Sequence, residues 1–494
     1  MPARLLRLGA WLLTLIAVAA ALQYLAYRQL RGELVREALA VLSPLARGDT
    51  PYRWALYDPA ALVGQGVFGE CDFAFDTDLL VLRHGSRRCE LGLMLRAPLD
   101  LRYFDTLSIT SSSEVPDFVL QVREQLSSPQ HLAAVAGSLA PQQHRLGALD
   151  WSLDIGKSSD APQRAAMLRL RFTDLRADLL LHEIRLLPKT PVAGLIHNGE
   201  VLWHPLSTAA VPGGEHLPLF SVEGLQRPEA LLRARDLLRE QEPAALLVYR
   251  ADTAQVAKAL ATPLSPAAHP PGALDLSLLI GLVVVVLAAS LLCRHSLSPA
   301  LHALLALTIP LWLVVGLQIG DDLDAATLVL IAIATLYAVT LARCDGVPPW
   351  RWFGSAHAWL YALAAPLIAT LSVAWLGHIN IAAFPLDAVP SYLLWACAQQ
   401  YLICVVVTDR LHASGLPERW TVLAAAAAFS LLHAPNAALM FATLLGGLIW
   451  SALWLRERSL LAQALSHTLA ALALSSGLPP HWLRSAEVSM RYFQ

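Results

Sequence analysis

Charge is scarce in this sequence. Only 15% of its 494 residues are Asp, Glu, Lys or Arg, against 56% hydrophobic, which is too apolar for a soluble enzyme of this length. A net charge of −2 leaves no basic excess for phosphate, so nucleic acid is not expected as a partner. The six cysteines include no CxxC and no Cys/His pattern with structural-zinc spacing. HExxH is absent, as is the GxSxG serine elbow. Ile319-Gly320-Asp321-Asp322 is not the GxGD of intramembrane aspartyl proteases, and it falls between apolar runs. The common soluble hydrolase signatures are therefore missing.

What charge there is sits unevenly. Residues 31–272 carry most of it, and the rest of the chain is long apolar runs separated by short charged loops. Met1–Arg7 is short and basic, and Leu8–Tyr27 is apolar. No small-residue cleavage site precedes Arg28, so an uncleaved anchor is expected, with Arg4 and Arg7 holding the N-terminus in the cytoplasm. A helix is expected over 30–45. Beyond it come short stretches with strand-like alternation: Leu107–Thr110, Phe118–Val122, Trp151–Ile155 and Met167–Phe172. Helical spacing returns over Arg227–Gln241, and Ala244–Tyr249 reads as a strand. Thr262–Gly272, with four prolines, reads as a linker. Cys71 and Cys89 could pair if this domain lies outside the cytoplasm; two separate thiols are the alternative.

Eight further apolar segments follow, at about 276–293, 301–319, 325–342, 356–376, 391–408, 421–436, 437–455 and 460–476. Their lengths suit a hydrocarbon core of about 30 Å. Arg294, Arg343, Arg351, Arg410, Arg419, Arg456 and Arg458 fall in alternate loops, while Asp321, Asp322, Asp324 and Asp387 fall in the others. The expected fold is thus an N-terminal membrane anchor, an extracytoplasmic mainly-β domain of sandwich or jelly-roll type, and an all-α polytopic membrane bundle of about eight helices. The expected boundaries are 1–30 (anchor), 31–262 (soluble domain), 263–273 (linker), 274–345 (first membrane helices), 356–476 (membrane core) and 477–494 (tail). The expected location is a bacterial-type cytoplasmic membrane, with the lipid bilayer as partner and the soluble domain on the outer side.

Within Ser391–Leu474 the strongly polar side chains are few: Gln399 and Gln400, His433 with Asn436, and Gln463 with His467. Polar groups in hydrocarbon cost several kcal/mol and so face a bundle interior, where they mark a site. At 1.5 Å per residue, Gln399 lies roughly 15 Å from the Asp409 end, His467 roughly 12 Å from Ser459 and His433 roughly 20 Å from Trp420. Three helices could therefore meet on one chamber. Thr443, Gly447 and Ser451 place small residues every fourth position, as close helix approach requires. Pro435, just after His433, frees backbone groups that only protein or cavity water can satisfy.

These residues resemble the CPBP intramembrane metalloproteases, which include type II CAAX prenyl endopeptidases and bacteriocin self-immunity proteins. The family's Glu-Glu pair followed by Arg aligns with Gln399-Gln400 and Cys404, its Phe-x-x-x-His with Phe429–His433, and its final His with His467, followed here by Ala471. The resemblance covers roughly 356–476. It implies a metal, zinc by preference, on His433 and His467, with Gln399, Gln400, His433 and His467 at the catalytic positions and Asn436 against a membrane-associated peptide substrate. The departure is chemical: a carboxylate takes a proton from metal-bound water, whereas an amide has no basic site near neutral pH. Two imidazoles also fall short of the three protein ligands usual for catalytic zinc.

In the soluble part, Tyr103–Ile109, Leu168–Phe172 and Leu179–Pro188 resemble carbohydrate-binding jelly rolls of the galactose-binding type over roughly 65–190. That likeness implies a glycan partner, with Trp151 and Trp203 as stacking rings. Three functions follow as expectations: an active intramembrane endopeptidase, a non-catalytic relative that binds a lipid, peptide or partner helix, and an outer-domain glycan or envelope binder on a passive anchor.

Overall fold

The computed structural model describes residues 2–46, 50, 52–101, 104, 106–123, 133–137, 141–143, 149–154, 164–187, 196–197, 200–206, 217–224, 227–242, 244–261, 273–293, 295–316, 325–344, 349–377, 384–483, 488 and 492. The expected linker at Thr262–Gly272 and the acidic loop at Asp321–Asp324 lie outside them. The chain forms two compact units. One comprises Met1–Leu30, Gln226–Arg233 and Ser265–Gln494; the other comprises Arg31–Leu225 and Ala234–Leu264.

Helix α1 runs unbroken over Pro2–Ala46. The anchor and the helix expected after it are one element, because no proline interrupts them before Pro44. Leu34, Ala38, Leu42 and Leu45 recur at helical spacing and are all buried.

The Arg31–Leu225 unit holds β1 (Arg53–Ala55), β2 (Phe73–Phe75), β3 (Leu80–Leu82), β4 (Arg88–Asp100), β5 (Thr106–Ser111), β6 (Phe118–Arg123), β7 (Ala133–Gly137), β8 (Pro141–Gln143), β9 (Leu149–Asp154), β10 (Arg164–Thr173) and β11 (Leu179–Leu187). Two antiparallel sheets form from them. One has the order β2-β3-β11-β5-β9-β8 with β1 also on β11, and the other is β4-β10-β6-β7. Alternation decides which side chains turn inward: Leu91, Leu93 and Leu95 on β4, and Leu168, Leu170 and Phe172 on β10, join one core with Leu107 and Ile109 of β5. On β11 the inward set is Leu179 and Leu181, then Ile184 and Leu186, because the register shifts between Leu181 and Glu183. Cys71 and Cys89 are joined in a disulfide, with Cα atoms 4.9 Å apart. Trp203 packs partly buried against this core, and the Trp151 side chain lies outside the described residues.

The short pairs β12 (Ile196–His197) and β13 (Glu200–Val201) follow. Then β14 (His204–Pro205), β15 (Leu219–Val222) and β16 (Leu246–Tyr249) line up parallel. Helix α2 (Pro228–Gln241) joins β15 to β16, and α3 (Arg250–Ala261) follows directly. This β-α-β piece was not expected of a sandwich. Four-residue strands give too little alternation to reveal the direction of pairing.

In the other unit come α4 (Ala273–Leu292), α5 (Pro299–Leu311), α6 (Ala325–Cys344), α7 (Ala356–Ala362), α8 (Ala364–Leu376), α9 (Val389–Gln400), α10 (Asp409–Ala413), α11 (Glu418–Leu431), α12 (Ala437–Glu457), α13 (Leu460–Gly477) and α14 (Pro480–Leu483). Among the described residues six helical stretches are long and apolar enough to cross a membrane, and two shorter apolar helices cover Ile280–Leu292 and Pro299–Val315. The stretch expected to span over 421–436 differs. Helix α11 stops at Leu431, 14 residues or about 21 Å, short of a full crossing. His433 consequently sits in the turn before α12 rather than inside a helix.

The N-terminal part of α1 belongs to this bundle. Leu22 and Ala26 pack with Ala426, Ala434, Ala437, Met440 and Leu444. The Gln23 amide donates to the Ala437 carbonyl at 2.8 Å, and the Trp11 indole donates to that of Arg419 at 3.1 Å. Close approach of α11 and α12 depends on Gly447, where a Cβ would stand 2.8 Å from the Ala426 Cα.

Candidate functional site

Helix α9 ends on the glutamine pair, and the chain then widens into π-helix over Tyr401–Thr408. Thr408 fits this local winding by donating its hydroxyl to the Ile403 carbonyl, five residues back, at 2.8 Å. Such insertions recur at functional sites because they re-aim neighbouring side chains. Here the pair divides. Gln400 is buried, 1% exposed, and faces α13. Gln399 is half-buried, and its Oε1 is enclosed without a partner.

The Gln400 amide makes two contacts. Its Nε2 lies 3.4 Å from His467 Nδ1, and its Oε1 accepts from the Cys404 thiol at 3.1 Å. The same sulfur is 3.1 Å from the side-chain amide of Gln463. His467 and Gln463 share a face of α13 because they are four residues apart. Cys404 reaches Gln400 although the chain between them is π-wound. Every member of this set is buried, His467 at 3% exposure and Gln463 and Cys404 at none.

His433 approaches from the turn after α11. Its backbone N–H donates to the Ser430 carbonyl at 3.0 Å, and its Nδ1 meets the Phe429 carbonyl at 2.8 Å. A carbonyl only accepts, so Nδ1 carries the proton and Nε2 keeps the lone pair. The Phe429 ring stands edge-on to both imidazoles, with centroids 4.8 Å from His433 and 5.5 Å from His467. Trp450 of α12 closes on His467 at 4.6 Å and donates its indole N–H to Ser466 at 3.1 Å. His433 and His467 therefore meet around Phe429, Gln400 joins them through His467, and Gln399 lies to one side.

Asn436 does something more local. Its Oδ1 caps α12 by accepting from the Leu439 N–H at 3.0 Å, and its Nδ2 donates to the Leu483 carbonyl at 2.8 Å. Both ends of the amide are used in holding backbone.

A metal fits this arrangement poorly. Among the described residues no three His, Cys, Asp or Glu side chains gather where an ion could sit. The end of Gln400 that faces His467 is the NH2, which has no lone pair to offer, and the oxygen is taken by Cys404. Two imidazoles without a third ligand do not make the usual zinc centre.

Sequence reading missed two things. Cys404 stands out in the sequence only through the resemblance, where it falls at an arginine position; its contacts with two glutamines need the π-wound backbone to be seen. Asp409, Trp454 and Arg458 were also missed, since Arg458 reads as an ordinary loop charge. Asp409 Oδ1 accepts from the Trp454 indole at 2.9 Å and from Arg458 at 3.0 Å, and Oδ2 accepts from Arg458 at 2.6 Å, with Asp409 only 4% exposed. Arg410, expected in a loop, is likewise buried and donates to the Leu341 carbonyl.

No protein-family model and no curated protein sequence matches the chain. Among solved structures, a low-affinity xylan-binding module from the gut symbiont Roseburia intestinalis is similar at 12% identity, over 27% of this chain and 92% of its own, with a TM-score of 0.19. That is too slight a likeness to carry a fold or a ligand.

Proposed function

We propose that this protein is a membrane-embedded, non-hydrolytic relative of the CPBP intramembrane endopeptidases, in which the hydrolytic centre has become a hydrogen-bonded binding chamber. The observation that carries the reading is Gln400. It stands where the family has a glutamate, and it spends its amide on His467 and Cys404. Neither carboxamide can take the proton that a glutamate would take in metal-assisted hydrolysis. What remains is a buried cluster of two imidazoles packed with Phe429 and Trp450, which this reading takes as the place that holds part of a membrane peptide, a lipid or a partner helix.

The N-terminus is read as cytoplasmic from Arg4 and Arg7, which places the soluble domain outside the cytoplasmic membrane. The Cys71–Cys89 bond supports this, since disulfides persist in oxidising compartments. The outer domain as a glycan binder is the weaker reading, because Trp203 is packed against the core.

The test is elemental analysis and peptidase assay on the detergent-purified chain, beside the double substitution Gln399→Glu, Gln400→Glu. The expected result is less than one zinc per ten chains and no cleavage in the native protein. Uptake of zinc by the double variant would show that the amides disable the site. Stoichiometric zinc together with cleavage by the native chain would establish an active endopeptidase instead.

A further inference from the structure

The two imidazoles look equivalent in the sequence, yet their surroundings make them opposite. The difference begins at the far end of a row of side chains, on the backbone of α12. Gln463 lies with its amide oxygen accepting from the Trp454 N–H at 3.1 Å and its NH2 donating to the Trp450 carbonyl at 3.2 Å. Those backbone groups cannot exchange roles, so they fix which end of the Gln463 amide faces Cys404. The end 3.1 Å from the Cys404 sulfur is then the NH2, and the sulfur receives its hydrogen. A thiol has one proton, and this one goes to Gln400 Oε1 at 3.1 Å. Gln400 in turn directs its NH2 at His467 Nδ1, 3.4 Å away, which must therefore hold the lone pair.

We propose that Gln463, Cys404 and Gln400 act as positioning residues. Their one-way row of donors holds His467 in the Nε2–H tautomer, while the Phe429 carbonyl holds His433 in the Nδ1–H tautomer. The site thus presents one free lone pair, at His433 Nε2, and one N–H donor, at His467 Nε2. His467 is a donor to an acceptor oxygen and is not poised to bind a metal through Nε2. Cys404 is the link on which this depends, since it joins the two glutamines.

This deepens the non-hydrolytic reading and rests on it in one respect: a metal on His467 Nε2 would require the other tautomer. The experiment is 15N NMR of the detergent-purified full chain labelled at histidine. The His467 signals are assigned by their loss in His467→Gln. In the native protein Nδ1 is expected to show the unprotonated shift and Nε2 the protonated one. Cys404→Ser, whose hydroxyl also donates once and accepts, should keep that pattern. Cys404→Ala should split the His467 signals into both tautomers. A native His467 protonated at Nδ1 overturns the proposal, as does a folded Cys404→Ala with the native pattern. Should Cys404→Ala fail to fold, the native spectrum and the Gln463→Leu spectrum decide in the same way. Absence of zinc together with an Nδ1–H His467 would sink the relay alone, whereas stoichiometric zinc would sink the function reading itself.

Discussion

Asp409 is the residue whose loss should be felt most. Its carboxylate serves the Trp454 indole and both arms of the Arg458 guanidinium, which also lies over the Trp454 ring at 5.2 Å. Removing one partner of a buried pair costs about 3–5 kcal/mol, and because Arg458 is only half-buried the loss here falls toward the lower end of that range. Asp409→Ala is therefore expected to lower the denaturation midpoint of the purified chain sharply, and pairing it with Arg458→Met should recover much of the loss. Recovery by less than a third would argue against the pair as the source. A different carboxylate reports on acid stability. Asp178 is held below the usual carboxylate value of 3.8, first by the backbone N–H of His84 and then by the His84 ring, with Arg83 adding to both. A depressed folded value stabilises the fold above the unfolded pKa and loses that effect as pH falls through the folded one. Acidification below about pH 4 should thus cost the native chain more than Asp178→Asn, measured as the shift of its melting midpoint with pH. At this scale the sequence was informative where chemistry is intrinsic, as for His433 and His467. It was silent where the environment decides, as for the burial of Arg410 and the half-buried pairing of Arg458 with Asp409, which no loop pattern reveals.

Among elements, α11 and α12 are the pair the imidazole cluster depends on, because one delivers His433 and the other Trp450. Their separation is set by Gly447 against Ala426. Gly447→Leu is expected to force them apart and destabilise the bundle by roughly 1–3 kcal/mol, whereas a neutral result in a thermal-shift measurement would show the interface to be loose. The four-residue repeat of small side chains announced this contact in advance, since backbone proximity needs a missing Cβ whatever surrounds it. The end of α11 was not announced. Phe429–Leu432 is as apolar as the helix before it, and hydropathy alone carries no sign that the winding stops at Leu431. The π-wound stretch after Gln400 was equally hidden, since nothing in Tyr401–Thr408 departs from an ordinary apolar helix in composition. Strand positions such as Phe118–Arg123 and Arg164–Thr173 were legible because alternation is a local signal. The parallel pairing of β14, β15 and β16 was not, being a matter of contacts between distant segments.

For the whole molecule, the division into a charged, strand-rich part and an apolar helical part could be read from the distribution of charge alone. Whether Cys71 and Cys89 pair could not, because pairing depends on the fold bringing β4 beside the Cys71 loop. Thiol counting on the denatured chain should find two of its six cysteines unreactive until a reductant is added, and Cys89→Ala should restore reactivity at Cys71. Six reactive thiols without reductant would contradict the pairing. One further consequence follows from Asn436, whose amide holds the Leu483 carbonyl. The stretch after α13 is a doorstop wedged against the turn that carries His433. Shortening the gene at Gly477 would therefore unseat the turn bearing His433, although every imidazole, amide and thiol of the cluster would still be encoded.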